Sequence, residues 1–272
     1  MKFGAVQANN PIDFSLPQTR SFLNQCGTNS KFTVFTGGTG WSDPRWKKVL
    51  PKLNSGQSGL EAYSNFFRSI EFNGSFYKLP EEHQIQTWLK DCPDHFKFCP
   101  KLSQSISQSR DLACQQSIWE EWNELTASLK ERLGSCFIQL PERFKRSELK
   151  TLERLLCFTR IDFPLLWEFR NSTWFEDYGV MESICSLLQQ FGFGMVITDT
   201  PGRRDVLHCN LSVPQLMIRF VSSGNESVDL IRMEHWKNKF REWKECGVQE
   251  IYFFFHHPNF HFILEHRDYF QF

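Results

Sequence analysis

The sequence predicts an α/β protein, a single (β/α)8 barrel of the TIM type with an irregular N-terminal extension. Short apolar or β-branched segments recur along the chain, separated by segments with apolar residues at three- and four-residue spacing, which is typical of repeated β-α units. The 272 residues fit one such barrel, which usually takes about 250. No G-x-G-x-x-G or G-x-x-x-x-G-K-S/T loop follows any strand segment, so nucleotide-binding forms of the alternative, an open doubly wound sheet, lose support.

The elements follow in chain order. Residues 1–30 contain turn-forming residues such as Pro11, Pro17 and Gly27, and they are predicted to be an extension packed on the barrel. Residues 31–272 form the predicted barrel domain. Its eight strands are predicted at residues 31–37, 69–73, 95–99, 135–140, 163–169, 194–198, 215–220 and 250–256. Its helices are predicted at residues 60–67, 81–90, 112–133, 147–159, 177–191, 234–246 and 260–269, with a short helical turn at 203–210.

Charge and composition limit the classes of partner. The chain has 31 Lys and Arg residues and 31 Asp and Glu residues, so its formal net charge is zero. No long-range field then attracts a polyanion or an anionic membrane, and a general nucleic-acid binder is disfavoured. Aromatic residues make up 15% of the chain, with 28 Phe and nine Trp, which favours a large buried core.

The cysteines and the absence of long apolar segments predict a cytoplasmic protein. The nine cysteines are an odd number without a C-x-x-C pair, which argues against a disulfide framework or a zinc ribbon and predicts reduced, mostly buried thiols. Residues 1–10 lack the apolar run of a secretory signal. No stretch approaches 18 uninterrupted apolar residues, so no membrane span is expected.

Several motifs, in the right order, resemble one family. A glycine turn and two tryptophans follow the first predicted strand, and an E-x-N-x-x-F-Y-x-x-P arrangement starts at Glu71 in the second. Further matches include Trp88, Lys101, Gln139-Leu140-Pro141, Glu168-Phe169-Arg170, Trp174-Phe175, Thr198-Asp199, Ile218-Arg219-Phe220 and Tyr252-Phe253-Phe254-Phe255. Together they resemble the YecE-like family (DUF72), a domain family of unknown function, over roughly residues 36–258. The resemblance implies a TIM-type barrel, in agreement with the strand count.

The chain departs from the family pattern at two positions. Similar proteins often carry a Thr-His pair after the residue matched by Lys101, whereas Ser105-Ile106-Ser107 stands here. Many relatives carry an amide pair after the eighth strand, and this chain has His256-His257. Either difference is consistent with altered chemistry or with a diverged loop.

Polar residues gather at the predicted strand ends, where TIM-type barrels place their reactive side chains. Charged residues are rarely buried without a partner, so such a cluster requires either mutual ion pairs or a ligand. Aromatic residues beside it, Trp41 and Trp174 among them, would suit a flat ligand face. The predicted rim residues are Glu71, Asn73, Tyr77, Lys101, Gln139, Glu168, Arg170, Asp199, Arg219 and His256.

The leading functional hypothesis is a metal-independent enzyme, a hydrolase, lyase or isomerase, that acts on a small anionic or carbohydrate-like substrate without a cofactor. Glu71 and Glu168 would be a proton donor with a raised pKa and an ionised base. Arg170 and Arg219 would hold the anion, with Asn73, Tyr77, Gln139, Asp199, His256, Trp41 and Trp174 as further contacts. Lys101 is a third catalytic candidate, as a general base, a phosphate contact or a Schiff-base amine, the last of which requires desolvation.

Other interpretations remain open. The two glutamates could form only structural ion pairs, because such networks also perturb pKa values. A nucleic-acid or nucleotide binding protein without catalysis is the alternative function, using short basic patches such as Arg203-Arg204. A stabilising polar scaffold is a third. The spacing of His257 and His261 raises a zinc site, but the set lacks the Glu of H-E-x-x-H, and no metal is expected. A magnesium ion bound by Glu71, Glu168 and Asp199 stays open as an alternative, because oxygen ligands follow no strict sequence spacing.

Overall fold

A computed structural model describes residues 12–23, 31–51, 56–109, 116–159 and 161–272, and the account below concerns these residues. Eight parallel strands form the centre of the structure, and all eight lie where the sequence predicts them, with ends shifted by at most two residues. They are β1 Thr33–Gly37, β2 Ser69–Phe72, β3 Lys97–Pro100, β4 Cys136–Gln139, β5 Leu165–Glu168, β6 Gly194–Asp199, β7 Gln215–Val221 and β8 Glu250–His256.

Backbone hydrogen bonds link these strands in the order of a ring. Six form one sheet in the order β1-β8-β7-β6-β5-β4, and β2 pairs with β3. Between β1 and β2 the Glu71 amide donates to the carbonyl of Gly38 at 3.0 Å, and between β3 and β4 the Leu102 amide donates to the carbonyl of Phe137 at 2.8 Å. The fold is therefore a parallel α/β fold of the TIM type.

Helices alternate with the strands largely as predicted. The helix predicted at 234–246 begins earlier, because its first buried positions are the charged residues Asp229 and Arg232, which hide the apolar periodicity. Residues 112–115 of the helix predicted at 112–133 lie outside the described residues. The helices are α1 Trp46–Val49, α2 Gly59–Ser64, α3 Glu82–Asp91, α4 Gln104–Ser107, α5 Gln116–Leu129, α6 Leu149–Phe158, α7 Tyr178–Gln190, α8 Glu226–Glu245 and α9 Phe260–Glu265.

The described part of the N-terminal extension contacts the barrel. Arg20–Ser21 pairs in parallel with Asn210–Leu211, a short strand within the loop that connects β6 and β7. Leu16, Phe22 and Leu23 pack against the core. Residues 1–11 and 24–30 lie outside the described residues.

Strand alternation divides the core into two layers. Side chains such as Phe35, Phe137, Met217 and Phe254 form a cluster inside the ring of strands, while the larger cluster fills the space between strands and helices. Successive side chains of a strand point to opposite faces. Of two neighbouring residues at a strand end, one therefore lies at the mouth of the barrel and the other in the layer between strands and helices.

The structure also tests the predictions that the cysteines are buried thiols and that no helix spans a membrane. The described cysteines are all free, and Cys92, Cys99, Cys136, Cys185 and Cys209 are buried, which confirms the predicted mostly buried thiols for this part of the chain. Among the described residues, no helix combines the length and apolarity that a membrane crossing requires.

Gly37 lets β1 and β2 approach closely, and its replacement provides a test of this packing. An added Cβ would lie 2.2 Å from the carbonyl oxygen of Ser69, a backbone atom of β2. Because a backbone cannot move away cheaply, Gly37→Ala is expected to lower the free energy of unfolding by about 1–3 kcal/mol. Gly40→Ala is the control, since nothing lies within 4 Å of its Cβ position. Urea unfolding would give the two values, and an equal effect of both changes would contradict the close approach.

Candidate functional site

Arg219 forms the centre of a polar cluster at the carboxyl ends of the strands. Its Nε and Nη2 donate to the two carboxylate oxygens of Glu71 at 3.1 and 3.0 Å. Its Nη1 donates to Glu168 Oε2 at 2.8 Å. Both carboxylates are buried, with 0% and 1% of their surface exposed. One planar guanidinium thus joins carboxylates from β2 and β5, the geometry for which arginine is best suited.

Two further side chains hold Glu71 in place. Asn73, just beyond β2, donates from Nδ2 to Glu71 Oε1 at 2.8 Å. His256, the last residue of β8, donates from Nε2 to Glu71 Oε2 at 2.9 Å. Glu71 therefore accepts hydrogen bonds from three residues, which fixes its orientation.

On the other side of Arg219, a glutamine connects Glu168 to a lysine. Gln139 donates from Nε2 to Glu168 Oε2 at 2.8 Å and accepts from Lys101 Nζ at 2.9 Å. The Arg170 Nε lies 3.7 Å from Glu168 Oε1. Hydrogen bonds thus run continuously across the mouth, and we call this set the mouth network: Lys101, Gln139, Glu168, Arg219, Glu71, Asn73 and His256.

The two glutamates are held in their ionised form. Burial alone would raise the pKa of Glu71, but Arg219 and His256 outweigh it and bring the pKa well below its ordinary value. The same balance, with Arg219 and Arg170 outweighing burial, lowers the pKa of Glu168. The expectation that one of them is a proton donor with a raised pKa is therefore wrong, because a shared arginine favours the charged form of both.

Lys101 is the cation of the network whose amine is shifted toward its neutral form. Burial and the nearby Arg219 lower its pKa to about 8, against the opposing effect of Glu168 and Glu71. Within the described part of the chain Lys101 forms no ion pair, and its ammonium donates a hydrogen bond only to the amide oxygen of Gln139. The ring of Phe76 lies 4.3 Å from Nζ. Phe76 belongs to the matched motif, but it is not among the contacts predicted from the sequence. Its position in the turn that follows β2 is the sequence feature that indicates such a contact.

A cleft opens beside His256. It has a volume of about 270 Å³ and is lined by residues of the β1 and β8 ends and of α9, including Thr39, Arg45, His256 and Phe260. Such a volume suits a small ligand or part of one. The imidazole of His256 therefore lies at the boundary between the mouth network and the cleft.

Asp199 does not join the mouth network, contrary to the prediction. Its carboxylate lies below the helices, where it pairs with Arg204 and with Arg232 Nη2, the latter at 2.9 Å, and accepts from Trp236 Nε1 at 2.8 Å. The reason is strand alternation, because Asp199 follows the inward-facing position Thr198 by one residue. Asp199 thus attaches α8 to the barrel.

The three predicted aromatic contacts also lie elsewhere. Trp174 is fully buried, and its Nε1 donates to the carbonyl of Phe144 at 2.8 Å. Trp41 stacks on Phe72 with ring centroids 5.3 Å apart, in the layer between strands and helices. Tyr77 is 74% exposed on the loop after β2. Trp41 and Trp174 pack with the cluster between strands and helices, and Tyr77 faces solvent, so none of the three forms a wall of the mouth network.

No three His, Cys, Asp or Glu side chains of the described residues lie close enough together to hold a metal ion. His257 and His261 do not share a helical face, since α9 begins only at Phe260. His257 instead packs on Phe262, with ring centroids 4.3 Å apart, and lies near Asp229.

Comparisons with known proteins agree with this architecture. Over 244 residues, 83% of this chain and 87% of the relative, the sequence is 25% identical to the UPF0759 protein YecE of Escherichia coli K12. It is 26% identical over 175 residues to the UPF0759 protein YunF of Bacillus subtilis, covering 62% of this chain and 61% of that relative.

Solved structures show the same fold. A DUF72 family protein of Enterococcus faecalis matches with a TM-score of 0.69 at 16% identity, covering 90% of this chain and 98% of that one. A DUF72 family protein of Thermotoga maritima matches with a TM-score of 0.67 at 21% identity, covering 87% and 98%. The profile of the family described as "Protein of unknown function DUF72" matches residues 35–268. The chain therefore belongs to the DUF72 family, as its motifs predict.

Proposed function

We propose that this chain is a metal-independent enzyme that binds a small anionic substrate at the mouth of the barrel and transfers protons through Lys101 and His256. The observation that carries the proposal is the buried amine of Lys101, which has a pKa of about 8 and no ion pair in the described part of the chain. A group with a pKa near the working pH is the most effective general acid or base.

The carboxylates have a different role from the one that the sequence suggests. Glu71 and Glu168 are both bound by Arg219, and their lowered pKa values keep them charged at neutral pH. They act as fixed charges that orient His256 directly and Lys101 through Gln139. The proton carriers are then the two ends of the mouth network.

The charge of the site favours an anion. The cationic side chains Lys101, Arg170 and Arg219 face two carboxylates, which leaves an excess of one positive charge. The side chain of Arg170 is the more exposed of the two arginines, 20% against 11% for Arg219, and its Nε lies 3.7 Å from Glu168 Oε1. Arg170 is therefore the residue best placed to bind a carboxylate or phosphate of the substrate.

Turnover of a panel of small carboxylates, phosphate esters and sugar acids tests the proposal. Lys101→Met is expected to lower kcat by roughly 10²- to 10⁴-fold, the usual size of a general acid or base contribution. Arg170→Met is expected mainly to raise KM. Lys90→Met and Arg241→Met, which change exposed helical residues, are the matched controls. Unchanged turnover in Lys101→Met, or no anion bound by the wild-type protein, would contradict the proposal.

The rival hypothesis, a nucleic-acid or nucleotide binding protein, has weaker support. Of its basic loop residues, Arg203 pairs with Glu142 at 2.6 Å and with Asp205 at 2.9 Å, and Arg204 pairs with Asp199. These ion pairs reduce the positive charge that a phosphate backbone would meet. Salt-dependent binding of RNA or DNA at low ionic strength would favour the rival.

A further inference from the structure

We infer that Lys101 forms a covalent imine with a substrate carbonyl, so that the substrate is a small 2-oxo acid or an aldehyde that carries an acid group. The inference rests on the proposed function, because it requires the substrate to bind at the mouth network. It assigns Lys101 as a nucleophile and leaves His256 to move protons.

The surroundings of Lys101 fit a nucleophilic amine. The residue is only 8% exposed, so its ammonium has lost most of its water. A buried lysine is usually stabilised by a carboxylate at ion-pair distance, and no such carboxylate lies beside Lys101 in the described ranges. Instead Gln139 supplies one neutral oxygen at 2.9 Å.

The net effect of the surroundings is to disfavour the ammonium form of Lys101. Burial is the largest effect and lowers the pKa, as do Arg219 and Arg170. Glu168 and Glu71 act in the opposite direction, and the pKa falls to about 8. Desolvation together with a neighbouring cation is a recognised way to activate a lysine as a nucleophile. Both parts of that arrangement are present here.

The reaction balances without an oxidant, a reductant or a cofactor. The neutral amine of Lys101 attacks the carbonyl carbon, the C–O π bond breaks, and protons shift from nitrogen to oxygen. Loss of water then leaves a C=N bond. Once the imine nitrogen is protonated, a C–H bond of the neighbouring carbon breaks: its electron pair forms an enamine with the former imine, and the proton passes to a base, the role left to His256.

The acid group of the substrate has a partner nearby. Arg170 follows β5 by two residues and lies beside Glu168, which Gln139 connects to Lys101. The guanidinium and the amine thus belong to one cluster. A short substrate with its carbonyl next to its acid group would contact both residues. A carbonyl compound without an acid group would lack the contact with Arg170 and would bind less tightly.

Reductive trapping with glyoxylate and cyanoborohydride at neutral pH tests the inference on the wild-type protein. Glyoxylate is a 2-oxo acid, and reduction converts its imine into a stable carboxymethyl group that peptide mass spectrometry locates. An amine of pKa about 8 has roughly 200- to 300-fold more neutral form near pH 7 than an ordinary lysine amine. We expect Lys101 to be labelled at least about tenfold faster than the exposed residues Lys48 and Lys90.

Acetaldehyde, which has no acid group, separates the nucleophile from the anion contact. Arg170→Met is expected to slow labelling of Lys101 by glyoxylate several-fold more than labelling by acetaldehyde, because the rise in the Lys101 pKa on loss of Arg170 affects both probes equally. An equal loss with both probes would overturn the assignment of Arg170 to the acid group. Labelling of Lys101 no faster than that of Lys48 and Lys90 would overturn the imine.

The outcomes also separate this inference from the proposed function. If Lys101 titrates near pH 8 and Lys101→Met loses turnover, while glyoxylate is not trapped, then the imine fails and the proton-transfer role stands. If Lys101 titrates like an exposed lysine, then both fail together.

Discussion

Replacing Arg219 with methionine is expected to lower the free energy of unfolding by about 3–5 kcal/mol, the usual cost of removing one partner of a buried ion pair. Arg219 is the shared counter-ion of Glu71 and Glu168, and the two carboxylates are only 0% and 1% exposed. Without the guanidinium, two buried negative charges remain in one cluster, and at least one of them must take up a proton.

Denaturant unfolding at neutral pH measures the effect, and Arg45→Met is the control. Arg45 also pairs with a carboxylate, at 2.7 Å from Asp43, but its side chain is 54% exposed, so its loss is expected to cost no more than about 1 kcal/mol. The variant Arg219→Met should also gain stability as the pH is lowered toward the range where the carboxylates protonate. An effect of Arg219→Met as small as that of the control would contradict the shared counter-ion.

Asp199→Ala is expected to lower the free energy of unfolding by about 3 kcal/mol or more, because it leaves buried donors without their acceptor. Arg232 is 1% exposed, and the variant removes its partner at 2.9 Å together with the acceptor of Trp236 Nε1. Asp229 still pairs with Arg232, so α8 should stay attached, but less firmly.

Asp199→Ala should change the stability of the protein and not its ligand binding or turnover. Because Asp199 lies below the helices and not at the mouth, folded Asp199→Ala is expected to keep wild-type turnover and wild-type labelling of Lys101. Asp268→Ala, at an exposed ion pair with Arg267, is the control for stability, with an expected change within about 0.5 kcal/mol. A specific loss of ligand binding in Asp199→Ala, at unchanged stability, would return Asp199 to the functional site.

The eight strands were predictable because each is a short apolar segment bounded by turn residues, and buried parallel strands give that pattern. Glu71, Lys101, Glu168 and Arg219 were predictable as a group for a related reason, since polar residues at successive strand ends must meet at one end of a barrel. The position of a polar residue relative to the end of its strand therefore predicts whether it belongs to this group.

What the sequence could not provide was the direction of individual side chains and the balance of charges. Asp199 differs from Thr198 by one residue, and only the strand register decides which of them faces inward. Trp174 follows a strand end but lies under Phe144. For Glu71 and Glu168, burial and the arginine shift the pKa in opposite directions, and only their geometry decides which effect is larger.

The titration of Lys101 tests the central claim most directly. NMR of ¹³C-methylated lysines, with Lys101→Met to assign the signal, is predicted to give a midpoint near pH 8 for Lys101, below its ordinary value of 10.5. Because the folded pKa lies below the unfolded one, the unfolded chain binds more protons between these values, so stability should rise with pH across this window and should not do so in Lys101→Met. A midpoint near 10.5 with no such rise would contradict the role of Lys101 as the reactive amine of the mouth network.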